Sequence, residues 1–127
     1  MNQITKLFPR IDGEYVETSD LKTEQIHSPW SQEPICEIFL GTQATADQAI
    51  KSSKKAFRSN IRETSATRAE WLRAAADEIE KVKLELADIT MRTLGKPRRA
   101  CGVEVSRSIQ FPRLCAEELL KIGRAHV

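Results

Sequence analysis

The hydrophobic period of the sequence changes once, near Thr45, and this change constrains the fold more than any other feature. Before it, short apolar and β-branched segments are separated by glycine, proline and polar residues, which is typical of strands and turns. After it, apolar residues recur every three or four positions, which is typical of amphipathic helices. The sequence therefore predicts an α+β fold, in which an N-terminal β-hairpin and further strands precede three α-helices.

The strand signals lie in the first forty residues. Asp12-Gly13 separates two short apolar segments, and Asp-Gly favours a two-residue hairpin turn because both of its positions take a positive φ. Extended segments are predicted at residues 25–28 and 35–40, with a loop through residues 29–34 between them. Residues 35–40 are rich in β-branched and aromatic side chains, so they form the strongest predicted strand.

The starts of the first two helices carry capping signals. The first helix is predicted to begin at a capping box of Thr45 and Gln48, whose side chains bond free amides of the first turn. It ends near Ser59-Asn60. The second helix begins at Thr67, or slightly earlier at residues 64–65.

The second helix carries one apolar stripe along its length. The members follow one another at steps of 3, 4, 3, 4 and 3: Leu72, Ala75, Ile79, Val82, Leu86 and Ile89. Gly95 is predicted to end this helix, because glycine readily adopts the left-handed conformation that closes a helix, and Pro97 cannot continue it. A third helix is predicted over residues 98–121, with both of its cysteines on the apolar face and with Pro112 bending its axis.

Composition and charge argue against several classes of function. The 20 Lys+Arg against 18 Asp+Glu give a net charge of +2, so we expect no nucleic-acid partner. No run of about 18 apolar residues occurs, and the N-terminus lacks the apolar core of a signal peptide, so we expect no membrane partner and a cytoplasmic location. The three cysteines have the spacing of neither a zinc site nor a disulfide framework, so we expect reduced, mostly buried thiols.

Two residues of the predicted third helix invite comparison with a catalytic nucleophile. Cys101 lies near two arginines, and a neighbouring cation favours the thiolate form. Both Cys101 and Cys115, however, belong to the apolar face, and neither has a histidine nearby in the sequence. We therefore expect both to be core thiols.

A series of short motifs runs in order through residues 7–121. They are Ile11-Asp12-Gly13-Glu14-Tyr15-Val16, Ser28-Pro29, Ile35-Cys36-Glu37-Ile38, Ala46-Asp47-Gln48-Ala49-Ile50 with Ala56-Phe57, Arg68-Ala69-Glu70-Trp71-Leu72, and Thr93-Leu94-Gly95-Lys96-Pro97 with Glu104-Val105. In this order the motifs resemble the N-terminal portion of the aldehyde dehydrogenase superfamily. One position departs from the pattern, since Gln32 stands where the family usually has glycine.

The resemblance implies that the parent protein is an NAD(P)-dependent aldehyde dehydrogenase and a homo-oligomer. In that family a cysteine thiolate attacks the aldehyde substrate, hydride passes to the nicotinamide, and a glutamate-activated water releases the acid. The family's Gly-Gln-x-Cys and Glu-Leu-Gly-Gly motifs do not occur in this sequence. We therefore expect no catalytic residue and no cofactor-binding residue here, and no NAD or NADP bound to this chain alone.

The resemblance also implies that the chain is a truncated gene product. Residues 1–121 would be the outer part of the α/β cofactor-binding domain, with the remainder of the parent chain as their partner. The apolar stripes of the second and third helices would need the missing sheet, so we expect marginal stability alone. Residues 122–127 resemble a translated sequencing adapter and are expected to be a non-native tail. The alternative is an autonomous helical-hairpin module that binds a protein partner and has no enzymatic activity.

One metal site is implied by the same resemblance. Some relatives hold a structural monovalent cation with backbone carbonyls before the Ser-Pro motif and a carboxylate after Gly-Lys-Pro. The matching positions are Ile26, His27 and Glu104, and oxygen ligands suit a hard cation. The alternative for Glu104 is a hydrogen bond or salt bridge that anchors its helix. For Lys96, a favourable position at a helix C-terminus competes with a contact to a cofactor phosphate.

Overall fold

The computed structural model describes residues 4–17 and 21–122, and the chain divides into two compact units, Met1–Arg62 and Glu63–Val127. The described part of the first unit contains strands followed by one helix, and that of the second contains only helices. The predicted α+β class and the order of its elements are thus confirmed. Residues 123–127, which make up most of the predicted non-native tail, lie outside the described residues.

The first unit contains a three-stranded sheet and a separate hairpin. The strands are β1 (Thr5–Leu7), β2 (Arg10–Ile11), β3 (Glu14–Tyr15), β4 (Thr23–His27) and β5 (Pro34–Phe39). In the sheet, β5 lies in the centre, parallel to β1 and antiparallel to β4. The antiparallel hairpin joins β2 to β3 through Asp12 and Gly13, whose φ angles are 55° and 86°. Both angles are positive, so the predicted hairpin turn is confirmed.

The first helix, α1 (Gln43–Asn60), begins earlier than predicted. Its N-cap is Thr42, whose Oγ1 accepts a hydrogen bond from the N–H of Thr45 at 3.3 Å. Thr45 therefore lies inside the first turn, where its Oγ1 donates to the backbone oxygen of Thr42 at 2.7 Å. The prediction of Thr45 as the cap was wrong because a second threonine three residues upstream caps the helix in its place. The predicted end at Ser59-Asn60 is confirmed.

The second unit contains three helices, α2 (Ser65–Lys81), α3 (Lys83–Leu94) and α4 (Arg98–Ile122). The earlier of the two predicted starts is confirmed, since Thr64 caps α2. The single helix predicted to end at Gly95 is two helices, and the total is four rather than three within the described residues. The break falls at Val82, which has φ −111° and ψ 17° and donates its N–H to the backbone oxygen of Ile79 at 3.2 Å. This bond spans three residues instead of four, and tightens the last turn of α2.

Small side chains line the contact between α2 and α4. The buried apolar residues of the three helices are Ala69, Ala76, Ala87, Cys101, Val105, Ile109 and Ala116. The apolar face predicted for the third helix is confirmed, and alanines on α2 and α3 allow the helix backbones to approach it closely. The stripe predicted along the second helix is only partly correct: Leu72, Ile79 and Leu86 are half-buried, whereas Ala75, Val82 and Ile89 are exposed. The break at Val82 resets the helical phase, so one continuous stripe cannot form.

The apolar face of α4 packs against α2 and α3. Ala76 and Ala87 form a buried cluster with Cys101, Val105 and Ile109, and half-buried Ile79, Leu86 and Met91 pack around it. The expectation that both stripes need a missing sheet is therefore only partly correct: α2 and α3 bury the inner face of α4, whereas Ala75, Val82 and Ile89 of the other stripe are exposed. Pro112 lies inside α4 as predicted. No helix in the described ranges combines the length and the apolar character that a membrane span requires.

Candidate functional site

The Gly-Lys-Pro turn connects α3 to α4 and organises the most distinctive cluster of polar groups in the second unit. Gly95 closes α3 with φ 66°, and its N–H donates to the backbone oxygen of Met91 at 3.0 Å. Pro97 stands just before α4, and its backbone oxygen accepts from the N–H of Cys101 at 3.2 Å. The predicted helix end at Gly95 is confirmed, since the left-handed conformation there is the one that glycine adopts most readily.

Lys96 and Glu104 form a salt bridge across this turn. The Nζ of Lys96 lies 2.7 Å from Oε1 of Glu104, and both side chains are about half exposed. The hydrogen bond to Glu104, together with the negative charge of that carboxylate, raises the pKa of Lys96 above its ordinary value of 10.5. The predicted alternative for Glu104, a salt bridge that anchors its helix, is confirmed.

Cys101 is hydrogen-bonded to the same turn and is completely buried. Its Sγ donates to the backbone oxygen of Lys96 at 3.8 Å, so the thiol is held by a carbonyl and not by a base. Cys36 is also buried, Cys115 is partly buried, and all three are free cysteines. This arrangement is that of structural thiols, because a reactive cysteine needs both access and a group that favours its thiolate.

Two of the predicted cation ligands lie in the first unit. Ile26 and His27 are consecutive in β4, opposite Cys36 and Pro34 of β5, and the strand register shifts between them. A register shift leaves part of the ladder unpaired, so it is a place where backbone carbonyls are released from strand pairing.

The third predicted ligand, Glu104, lies in the second unit and already binds Lys96. Among the described residues, no group of three His, Cys, Asp or Glu side chains is arranged to hold a metal ion. The predicted set differs from such a group, because two of its three ligands are backbone carbonyls. The cation site at Ile26, His27 and Glu104 stays a prediction.

An ion-pair network between α2 and α4 was missed by the sequence analysis. Arg73 on α2 binds Glu117 on α4 at 2.7 Å, while Arg113 on α4 binds Asp77 at 2.7 Å and Glu80 at 2.6 Å. Each helix thus contributes both signs of charge. The available signal was the helical spacing of these charges beside the buried face, at steps of 4 and 3 on α2 and 4 on α4.

The comparison with known proteins agrees with the order of motifs. The sequence model of the aldehyde dehydrogenase family matches residues 15–127. The chain belongs to the aldehyde dehydrogenase family.

Two relatives illustrate the enzymes to which the chain is similar. The mitochondrial succinate-semialdehyde dehydrogenase of Arabidopsis thaliana is 33% identical over 113 residues, 88% of this chain and 21% of that protein. The NADP-dependent glyceraldehyde-3-phosphate dehydrogenase of Pisum sativum is 28% identical over 111 residues, 87% of this chain and 22% of that protein.

A solved structure from the same family shares the fold. The betaine aldehyde dehydrogenase of Staphylococcus aureus in complex with NAD+ superimposes with a TM-score of 0.79 at 31% sequence identity. The match covers 84% of this chain and 22% of the bacterial enzyme. The chain therefore spans about a fifth of the length of the aldehyde dehydrogenases it matches.

Proposed function

We propose that this chain is the N-terminal part of an NAD(P)-dependent aldehyde dehydrogenase that oxidises an aldehyde to a carboxylic acid. The observation that carries the proposal is the family match over residues 15–127, which spans nearly the whole chain but only about a fifth of a relative. The motifs around Gly13 and Gly95-Lys96-Pro97 are those with which the family begins. The same proposal makes the rest of the enzyme the main partner of this chain.

The chemistry of the parent enzyme lies outside this chain. Its cysteines are buried or partly buried, and Cys101 is bonded to a backbone carbonyl. A nucleophile must instead reach the substrate and have a base or cation that favours its thiolate. These properties support a parent enzyme whose nucleophile is supplied by residues that this chain does not contain. The absence of a Glu-Leu-Gly-Gly motif from the sequence supports the same for its general base.

The turn between β5 and α1 lacks the features of a dinucleotide site. Such a site uses a glycine-rich turn between a strand and a helix, so that phosphates can approach free amides at the helix N-terminus. Here the turn between β5 and α1 has the single glycine Gly41, and Thr42 already caps the N–H of Thr45. The space beside Gly41 is filled as well, since a Cβ at that position would lie 2.9 Å from Oγ1 of Thr45. We therefore derive no catalytic step through NAD or NADP in this chain.

An assay of the purified chain tests the proposal that this chain alone is inactive. We expect no NADH or NADPH formation at 340 nm with betaine aldehyde or succinate semialdehyde, whichever oxidised cofactor is added. Turnover that survives purification, and that is lost on substitution of a cysteine, would show that the chain carries its own nucleophile. Such a result would overturn the assignment of the chemistry to the rest of the enzyme.

An autonomous protein-interaction module is the competing function. The observation that favours it is the buried cluster of the second unit, which that unit forms from its own helices. The module requires a partner other than an aldehyde dehydrogenase polypeptide and requires the reading frame to stop near Lys121. The proposed enzyme requires the frame to continue into a Gly-Gln-x-Cys motif.

A further inference from the structure

Helix α4 has two apolar faces rather than one. The inner face carries Val105, Ile109 and Ala116, which are buried in the second unit. The outer face carries Val103, Phe111 and Leu114, which are 47%, 67% and 57% exposed. Successive residues of a helix are rotated by about 100°, so the two sets lie on nearly opposite sides of α4.

The outer face of α4, defined by Val103, Arg107, Gln110, Phe111 and Leu114, is a continuous surface. These residues follow one another at steps of 4, 3, 1 and 3, and the last four line a single shallow groove. The surface is mainly apolar and has one cation. Arg107 has no ion-pair partner among the described residues, so its guanidinium is available to an acceptor on whatever covers the groove.

A helix that is apolar on two opposite sides typically packs between two layers of secondary structure. The first layer is present, because α2 and α3 cover the inner face. The described helices of the second unit form no second layer over the outer face, and the chain spans only 22% of the S. aureus enzyme that shares its fold. The length of polypeptide needed to form another layer is therefore available in the parent enzyme.

We propose that the outer face of α4 is the surface on which the rest of the aldehyde dehydrogenase polypeptide packs. This inference rests on the proposed function and specifies its partner. The covering segment presents apolar side chains to Phe111 and Leu114 and a carboxylate or carbonyl oxygen to Arg107. Docking removes a large aromatic and a branched aliphatic side chain from water, which drives association of the two pieces.

Co-expression tests the surface directly. The 127-residue chain is produced together with a His-tagged polypeptide comprising the part of S. aureus betaine aldehyde dehydrogenase outside the matched segment. We expect the chain to co-purify with it, and Phe111→Glu to reduce the co-purified amount at least tenfold. We expect the substitution to leave the helix itself intact, because the new carboxylate lies four residues after Arg107 and can pair with it. Phe111→Leu keeps the surface apolar and should retain co-purification.

Leu84→Glu is the matched control. Leu84 lies in the first turn of α3 and is 73% exposed, so this variant exchanges an exposed apolar side chain for a carboxylate away from the outer face of α4. It should co-purify as the unmodified chain does, and equal helical circular dichroism of the variants shows that each remains folded. Co-purification of Phe111→Glu at the unmodified level, or no co-purification of the unmodified chain, would overturn the proposal.

The same samples separate the other occupants from the proposed one. If the chain alone sediments as a dimer and Phe111→Glu as a monomer, a second copy covers the surface and the proposal is wrong. If Phe111→Glu alters hydrogen exchange of the isolated chain within residues 4–17 and 21–62, its own first unit covers the surface, and the proposal is again wrong. Co-purification through Phe111 without aldehyde oxidation would contradict the proposed function and leave the docking surface supported.

Discussion

Two glycines of the second unit have opposite backbone requirements. Gly95 has φ 66° and closes α3, whereas Gly102 lies within α4 with open space where a Cβ would stand. A side chain is strained in the left-handed region, but inside a helix it removes freedom from the unfolded chain. The Gly-Lys-Pro motif therefore needs its glycine for conformation, and Gly102 has no such need.

Alanine substitutions at these glycines should change stability in opposite directions. We expect Gly95→Ala to lower the free energy of unfolding by about 1 kcal/mol, because the left-handed conformation disfavours a Cβ. Gly102→Ala should raise it by roughly 0.5–1 kcal/mol, because alanine is the better helix former. Urea unfolding followed by circular dichroism at 222 nm measures both. A loss of stability in both variants would contradict the assignment of Gly102 to an unstrained helical site.

The salt bridge between Lys96 and Glu104 gives a prediction about pH. The pKa of Lys96 is raised in the folded chain by its bond to Glu104, so the folded state holds this proton more tightly than the unfolded state. The resulting stabilisation is fully present below pH 10.5 and is lost as the pH rises through the folded pKa. We expect Glu104→Gln to lower the pKa of Lys96 in an NMR titration of lysine side chains. Lys121, whose pKa is raised by Glu118, is the internal control and should not change.

At the scale of elements, turns and helix ends could be predicted from the sequence. The helix break that accompanies tertiary packing could not. The Asp12-Gly13 turn and the helix end at Gly95 were predicted because each depends on the conformational preference of the residues themselves. The break at Val82 was not predicted, because no glycine or proline marks it and the flanking sequence continues the helical period. It became visible only where α2 and α3 both pack against α4.

The ion pairs between α2 and α4 show the same limit. The sequence places Arg73 and Glu117 each at a helical step from other charges, but only the packing of the two helices brings them within 2.7 Å. Likewise, Lys96 and Glu104 were considered separately, and the turn at Gly95 brings them together. Ion pairs between residues that are distant in the sequence depend on tertiary packing. In the sequence they are indicated only weakly, by the helical spacing of the charges.

Removing Arg73 should raise the pKa of Glu117. The hydrogen bond and positive charge of Arg73 lower the pKa of this carboxyl below its ordinary value of 4.5. The stabilisation is therefore present above pH 4.5 and is lost as the pH falls through the folded pKa. We expect Arg73→Met to raise the pKa of Glu117 and to reduce the difference in stability between pH 7 and pH 3. Carboxyl titration by NMR measures the pKa, and an unchanged value would show that the ion pair does not form in solution.

At the scale of the whole molecule, the family was predictable and the uncovered surfaces were not. The motif order from Ile11 to Glu104 predicted membership of the aldehyde dehydrogenase family, and the family match confirms that membership. The inner apolar face of α4, which α2 and α3 bury, was predicted from the sequence to be uncovered. The structure instead leaves Phe111 and Leu114 exposed on the opposite side of α4. Periodicity reveals that a helix has apolar faces, but it does not reveal which face a neighbouring helix takes.

The proposed function depends above all on the length of the full polypeptide. The most direct measurement is the sequence of the source DNA beyond the codon for Lys121. We predict an open reading frame that continues through a Gly-Gln-x-Cys motif, with a product several times longer that oxidises an aldehyde in the presence of NAD or NADP. A stop codon before any such motif would contradict the proposal that this chain is the N-terminal part of an aldehyde dehydrogenase enzyme.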